Sequence, residues 1–134
     1  MDHTTNYRDT FIAVSPDCPA IAGMVPPKPG TVAAMQHERL LAKPYSMTSD
    51  DLLFGIFADR NAIPDKERAA ARAAFFSKGQ PCMRSSPLVK SYGWGVHHDG
   101  KERIAIYPLG SETYAAFAAG KAGTVVAGMR SRRG

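Results

Sequence analysis

YGWGVHHDGKERIAIY, residues 92–107, decides the fold. From Tyr92 to His98 the side chains alternate across an extended strand: Tyr92, Trp94, Val96 and His98 fall on one side, Gly93, Gly95 and His97 on the other. Asp99-Gly100 is a hairpin signal, and IAIY resumes as the returning strand. With those two residues as the turn, His98 pairs with Lys101, His97 with Glu102, Gly95 with Ile104 and Gly93 with Ile106. One face then carries Ile104 and Ile106 over bare glycines, where a helix can pack; the other carries Tyr92, Trp94, Val96 and Tyr107. A four-residue loop would keep both strands and shift this pairing.

Upstream, TFIAV (residues 10–14) is β-branched and apolar and reads as a short buried strand. Residues 15–30 hold five of the ten prolines, including Pro26-Pro27-Lys28-Pro29, which excludes helix and central strand. They form a long loop, read as a rigid surface connector ahead of a polyproline ligand. Thr31 caps a helix over 31–43 with Ala33, His37, Leu40 and Leu41 on one face, and Pro44 ends it. His37 is expected to be packed, with no catalytic role. Thr48 and Asp51 have capping-box spacing and open a helix over 49–60 striped by Leu52, Leu53, Ile56 and Phe57. Pro64 starts a third helix, 64–77, with Asp65 and Glu67 at its start, Lys78 at its end, and Ala69, Ala73 and Phe76 on one face. Ser111 caps a short last helix, and residues 125–129 add an edge strand or dock on the core. The expected class is α+β: a small, mostly antiparallel sheet, with its hairpin at 92–107, packed against three to four helices.

The chain has 134 residues, 44% apolar and 22% charged, which suits a single domain over 1–134 with one core. Its amino terminus lacks the basic run and greasy segment of a secretory signal, and its longest apolar run, 52–58, is far short of the roughly 20 residues that cross a bilayer. A cytoplasmic protein with no membrane partner and two free thiols, Cys18 and Cys82, is expected. Of the net charge of +5, Arg130, Arg132 and Arg133 supply three, so a basic tail at 130–134 follows a nearly balanced body. Such a tail is more often a solvated end than a phosphate contact, so nucleic acid is admitted as a partner but not favoured.

Chemistry gathers in residues 80–98. Cys82 with Arg84 or His97 nearby has the composition of a thiolate nucleophile, and His97 that of an acid–base group; the plainer reading of Cys82 is a small buried hydrophobe. Cys18, Cys82 and His97 offer three zinc donors, but no Cys-x-x-Cys pair anchors them, and His97 and His98 point to opposite faces, so no metal and no cofactor are expected. Arg84, Lys90, Tyr92 and Trp94 make a cationic rim beside an aromatic surface, with Ser86 and His97 adding polar groups. Neither a phosphate-binding glycine loop nor a Gly-x-Ser-x-Gly elbow occurs.

The segments TFIAVSPDCP, PYSMTSDDLLF, FFSKGQPCMRSSPLVKSYGWGVH, IAIYPLGSETY and MRSRR together resemble a family of small, mostly bacterial proteins classed as a domain of unknown function. The likeness runs from Asn6 to Arg133 and is carried most specifically by CxRxSPLxKxYGWGxH. It implies no activity. It marks Asp17, Cys18 and Pro19, and then Cys82, Arg84, Ser86, Pro87, Lys90, Tyr92, Gly93, Trp94, Gly95 and His97, as motif positions. The chain departs from the pattern at His37, where a tyrosine is usual, and in its short hairpin loop.

Three functions follow. The leading one is a binding domain for a small anionic or aromatic ligand, held between the 15–30 loop and the 80–98 segment by Arg84, Ser86, Lys90, Tyr92, Trp94 and His97. The second is an enzyme using Cys82 or His97; the third is a nucleic-acid accessory protein using the tail. Self-association into a homo-oligomer is compatible with all three.

Overall fold

The computed structural model describes residues 3–131. Four strands form one open sheet in the order β3-β2-β1-β4: β1 Thr10–Ala13, β2 Trp94–His98, β3 Ile104–Pro108 and β4 Thr124–Ala127. β1 and β3 run antiparallel to β2, whereas β4 runs parallel to β1 as an edge strand. Five helices accompany them: α1 Val32–Ala42, α2 Ser49–Arg60, α3 Arg68–Phe75, α4 Pro87–Lys90 and α5 Glu112–Ala118. The class is α+β, as the sequence predicts, with the sheet mixed rather than wholly antiparallel. No helix among the described residues is long and apolar enough to cross a membrane.

The hairpin differs from the two-residue reading. His98 faces Ile104, His97 faces Ala105 and Val96 faces Ile106, so the loop is 99–103 and every partner moves by three. The cause is Asp99: its Oδ1 accepts the amides of Lys101 and Arg103, and its own amide bonds to the Arg103 carbonyl. Glu102 takes the left-handed turn position at φ 66°. An odd shift exchanges the faces. Ile104 and Ile106 therefore join Val96 and Trp94 in the core under α1, α2 and α4, while Tyr107 goes to the glycine side. A helix covers Gly95 but not Gly93: a Cβ on Gly95 would run into the Phe11 ring, which meets Tyr114 and Phe117 of α5 edge-on, whereas Gly93 lies under Ala20 and Ala22 of the proline-rich loop.

The caps form where the sequence places them. Thr48 Oγ1 accepts the Asp51 amide and Asp51 returns the bond to the Thr48 amide; Thr31 and Ser111 cap α1 and α5. Two helix faces are corrected. In α1 Gln36 is buried and Leu41 exposed; in α2 the buried side includes Phe54 and Ala58, leaving Phe57 at the surface. The third helix is split into a 3-10 turn, Asp65–Glu67, followed by α3, and Ala69 and Ala73 face solvent while Ala71, Phe75 and Phe76 pack on α2. Arg68 pairs with Asp59 and Arg72 with Asp51, which clamps α3 to α2 by charge rather than by deep burial.

The start of the chain is clasped to the first turn of α2. Asp50 accepts the Thr5 amide and hydroxyl at 2.7 and 2.6 Å and the Thr4 hydroxyl at 2.7 Å, and its own amide donates to Asn6 Oδ1. A carboxylate there also favours the helix dipole. This clasp delivers Tyr7 beside Cys82.

Candidate functional site

Between α1, α2 and the 80–87 segment lies a cleft of about 510 Å³, within the range of small-molecule sites. Val32 and Gln36 come from α1, and Leu53, Ile56, Phe57 and Arg60 from α2; Phe75 and the run Gln80–Met83 complete the walls. The lining is mostly apolar. Phe57, 40% exposed, lies 4.8 Å from the Phe75 ring centroid, so aromatic surface is available at the mouth. Arg60 stands at the rim and pairs with no carboxylate among the described residues, whereas Arg39 and Arg68 are committed to Asp59.

Polar groups at the floor are fixed. The Ser86 hydroxyl donates to Gln36 Oε1 at 2.5 Å and accepts the Leu88 amide at 3.1 Å, capping α4. Both side chains are buried. Cys82 is half-buried, its Sγ 3.2 Å from the Tyr7 hydroxyl. Burial, and then the bond to Cys82, push the Tyr7 phenol above its ordinary range, with Arg84 pulling the other way, so Tyr7 keeps its proton beside the sulfur.

The six residues expected to bind ligand do not converge. Ser86 lies in the cleft. Arg84 is used as a stitch, its Nε donating to the Ala127 carbonyl at 2.7 Å while its own carbonyl accepts the Met129 amide. Lys90 borders a smaller hollow of about 410 Å³ with Asp17, Pro19, Ser91 and Ser131, where the proline-rich loop meets the 80–98 segment. Tyr92 packs on the core, and its carbonyl holds the Met24 amide. Trp94, 8% exposed, is core: its indole N–H donates to the Met24 carbonyl at 2.8 Å, and its ring meets His37 at 4.9 Å. His37 is packed, as expected.

His97 lies across the sheet from Trp94. Its Nδ1 is 2.8 Å from the Tyr45 hydroxyl, which is 2.8 Å from the Tyr107 hydroxyl, and its ring lies against Phe117 at 4.6 Å. It does not face Glu102. Tyr45 holds a left-handed backbone, φ 57°, pinned by its amide to the Ile104 carbonyl. Burial and the Tyr107 bond raise its phenol well above the ordinary range. His98 points to the other side and is fully buried, with no hydrogen-bond partner for either ring nitrogen among the described residues. Burial, reinforced by the neighbouring His97, lowers its pKa to about 4, against a smaller pull from the Val96 and Thr10 backbone.

Cys18 and Cys82 are both free thiols, and among the described residues no three His, Cys, Asp or Glu side chains group as metal ligands, so Cys18, Cys82 and His97 do not form a donor trio. Arg132 and Arg133 lie outside the described residues. Sequence reasoning missed Tyr7, Gln36 and Arg60; only Gln36 left a signal, as an amide on the buried side of an otherwise apolar helix face. No curated protein and no solved structure matches the chain. A family model does: over residues 2–134 the chain belongs to the family of unknown function DUF6157.

Proposed function

We propose, for this member of a family of unknown function, a cytoplasmic single-domain protein that binds a small molecule with an aromatic or apolar body and an anionic end. The observation that supports it is the cleft, whose walls Phe57, Phe75, Leu53 and Ile56 suit a flat apolar body while Arg60 at the rim suits a carboxylate or sulfonate. Gln36 and Ser86, already bonded to each other, orient the floor without needing a ligand to satisfy them. Lys90 and Arg84 take no part in this reading.

The test is an amide-resolved NMR titration with 2-naphthoate and with its uncharged amide. Shifts concentrated at Leu53, Phe57, Arg60 and residues 80–86, with Arg60→Gln weakening the carboxylate about tenfold, or about 1.4 kcal/mol, and sparing the amide, support the reading. Shifts confined to Lys90 and Ser91, or none at millimolar probe, end it.

A second reading, acid–base chemistry at His97, draws on the Tyr45 hydroxyl bonded to both His97 and Tyr107. His97 ring-proton shifts that Tyr45→Phe leaves unchanged would remove that support.

A further inference from the structure

Two features of the chain remain unused by the cleft, the proline-rich loop and Arg130, and the fold brings residues 129–131 beside the start of that loop. Ile21 is 92% exposed, Val25 71% and Met24 51%. These side chains are held outward by an anchored loop: Met24 bonds through its amide to the Tyr92 carbonyl and through its carbonyl to the Trp94 indole, and the Gly23 amide donates to Leu109. Gly93, at φ 75°, lies beneath Ala20 and Ala22 with no room for a Cβ, so the loop is seated on the sheet end. An exposed isoleucine on so well-fastened a loop exposes apolar area that the fold has no use for.

Cations flank it. The loop's Pro19 borders the same hollow as Lys90 and Ser131. Ser15 Oγ donates to the Met129 carbonyl, and the Ser131 amide donates to Asp17 Oδ2, so the end of the chain runs beside the start of the loop and brings exposed Arg130 with it. Lys28 lies further along the loop, Met129 adds exposed apolar surface, and the sequence continues with Arg132 and Arg133. Asp17, the carboxylate in this hollow, is engaged by the Ser131 amide.

We infer that residues 19–25 insert into the headgroup region of an anionic lipid bilayer while Lys90 and Arg130 hold its surface charge. Ile21, Met24 and Val25 are exposed on the loop whose Pro19 borders the hollow of Lys90 and Ser131, and this pairing selects lipid over other polyanions: nucleic acid would use the charge and leave three aliphatic side chains in water, whereas an anionic bilayer uses both. This attachment needs no spanning helix.

The test is co-sedimentation of the full chain with vesicles of phosphatidylglycerol and phosphatidylcholine, against pure phosphatidylcholine, at low and at physiological salt. Binding is expected only to the anionic vesicles. The double variant I21S/V25S, which removes no core contact and should melt with the wild type, is expected to lose at least tenfold in partitioning. Lys90→Gln and deletion of residues 130–134 are each expected to lose about fivefold or more and to flatten the salt dependence. No binding to anionic vesicles overturns the inference. So does binding that follows charge alone, with I21S/V25S unchanged, which would assign the surface to a nucleic acid; single-stranded RNA competing equally against wild type and I21S/V25S would establish that outcome.

Discussion

His97 and His98 are neighbours in the chain, yet they belong to different chemical worlds. His98 lies under the helices with no hydrogen bond to either nitrogen among the described residues, while His97 on the α5 side sits at the end of a relay of two phenols. The period-2 alternation of a strand does this, dividing one compact motif between a dry core and a polar, half-open face. A cluster of chemically active letters in a strand is therefore two half-clusters, and a site drawn through all of them crosses the sheet. The face under the helices holds the fold; the face under α5 holds the titratable network.

The contrast can be broken at four points. The largest effect belongs to the core face: Trp94→Ala should cost about 3–5 kcal/mol in urea unfolding, because it empties a buried slot and releases the Met24 carbonyl. A loss under 1 kcal/mol would place Trp94 in a site rather than in the core.

The next is acid sensitivity. Between its folded value of about 4 and its unfolded value near 6.5, His98 is neutral when folded and takes up a proton on unfolding, so the unfolded state binds more protons and stability falls as pH drops through that window. The share due to His98 should approach about 1.4 kcal/mol per pH unit and be lost in His98→Leu, leaving the share of His37, whose pKa burial also lowers. Asp59 and Asp51 act lower. The first is held below the usual carboxylate range by Arg39 and Arg68; the second is raised by burial but pulled down further by Thr48 and Arg72, so their contributions are lost only on stronger acidification. Denaturant midpoints at pH 7, 5.5 and 4.5 follow the histidine window, and a further midpoint near pH 3, below the ordinary carboxylate value of 3.8, reaches the second.

On the α5 face the effects are smaller. Tyr45→Phe should cost about 1–2 kcal/mol by removing the centre of the relay, and it should shift the ring protons of His97 and leave those of His98 in place. Tyr107→Phe removes only the outer hydroxyl and should cost about 1 kcal/mol or less. Equal losses from the two would mean that Tyr45 does not link them.

What the chain disclosed before folding was mostly local. Thr31, Thr48 with Asp51, and Ser111 announced their helices because a hydroxyl three residues from an amide is a short-range device. TFIAV and the hairpin strands were legible by composition and alternation. The hairpin register was not, because it turns on one Asp99 carboxylate accepting two amides, which displaces Asp99-Gly100 from the two-residue turn it advertises. The face of α3 was misjudged because the apolar spacing that packs is Ala71 with Phe75, next to Phe76, and not Ala69 with Ala73, and the ion pairs to Asp51 and Asp59 fall on the same side. The cleft was invisible for a different reason: its walls come from residues 32–36, 53–61, 75 and 80–87, and no spacing rule relates those segments. Tyr7 reaches Cys82 across a separation of 75 residues through the Asp50 clasp, a contact that no local pattern encodes.

The parallel pairing of β1 with β4 has a mechanical consequence. The first strand and the last lie side by side and point the same way, so tension applied between the two ends of the chain pulls them in opposite directions along their length. The load falls on the whole ladder at once, in shear, and no bond can be peeled before the others. Forced extraction from either end, as by an unfolding motor threading the chain, must break that register in one step before α5 or the hairpin can be reached.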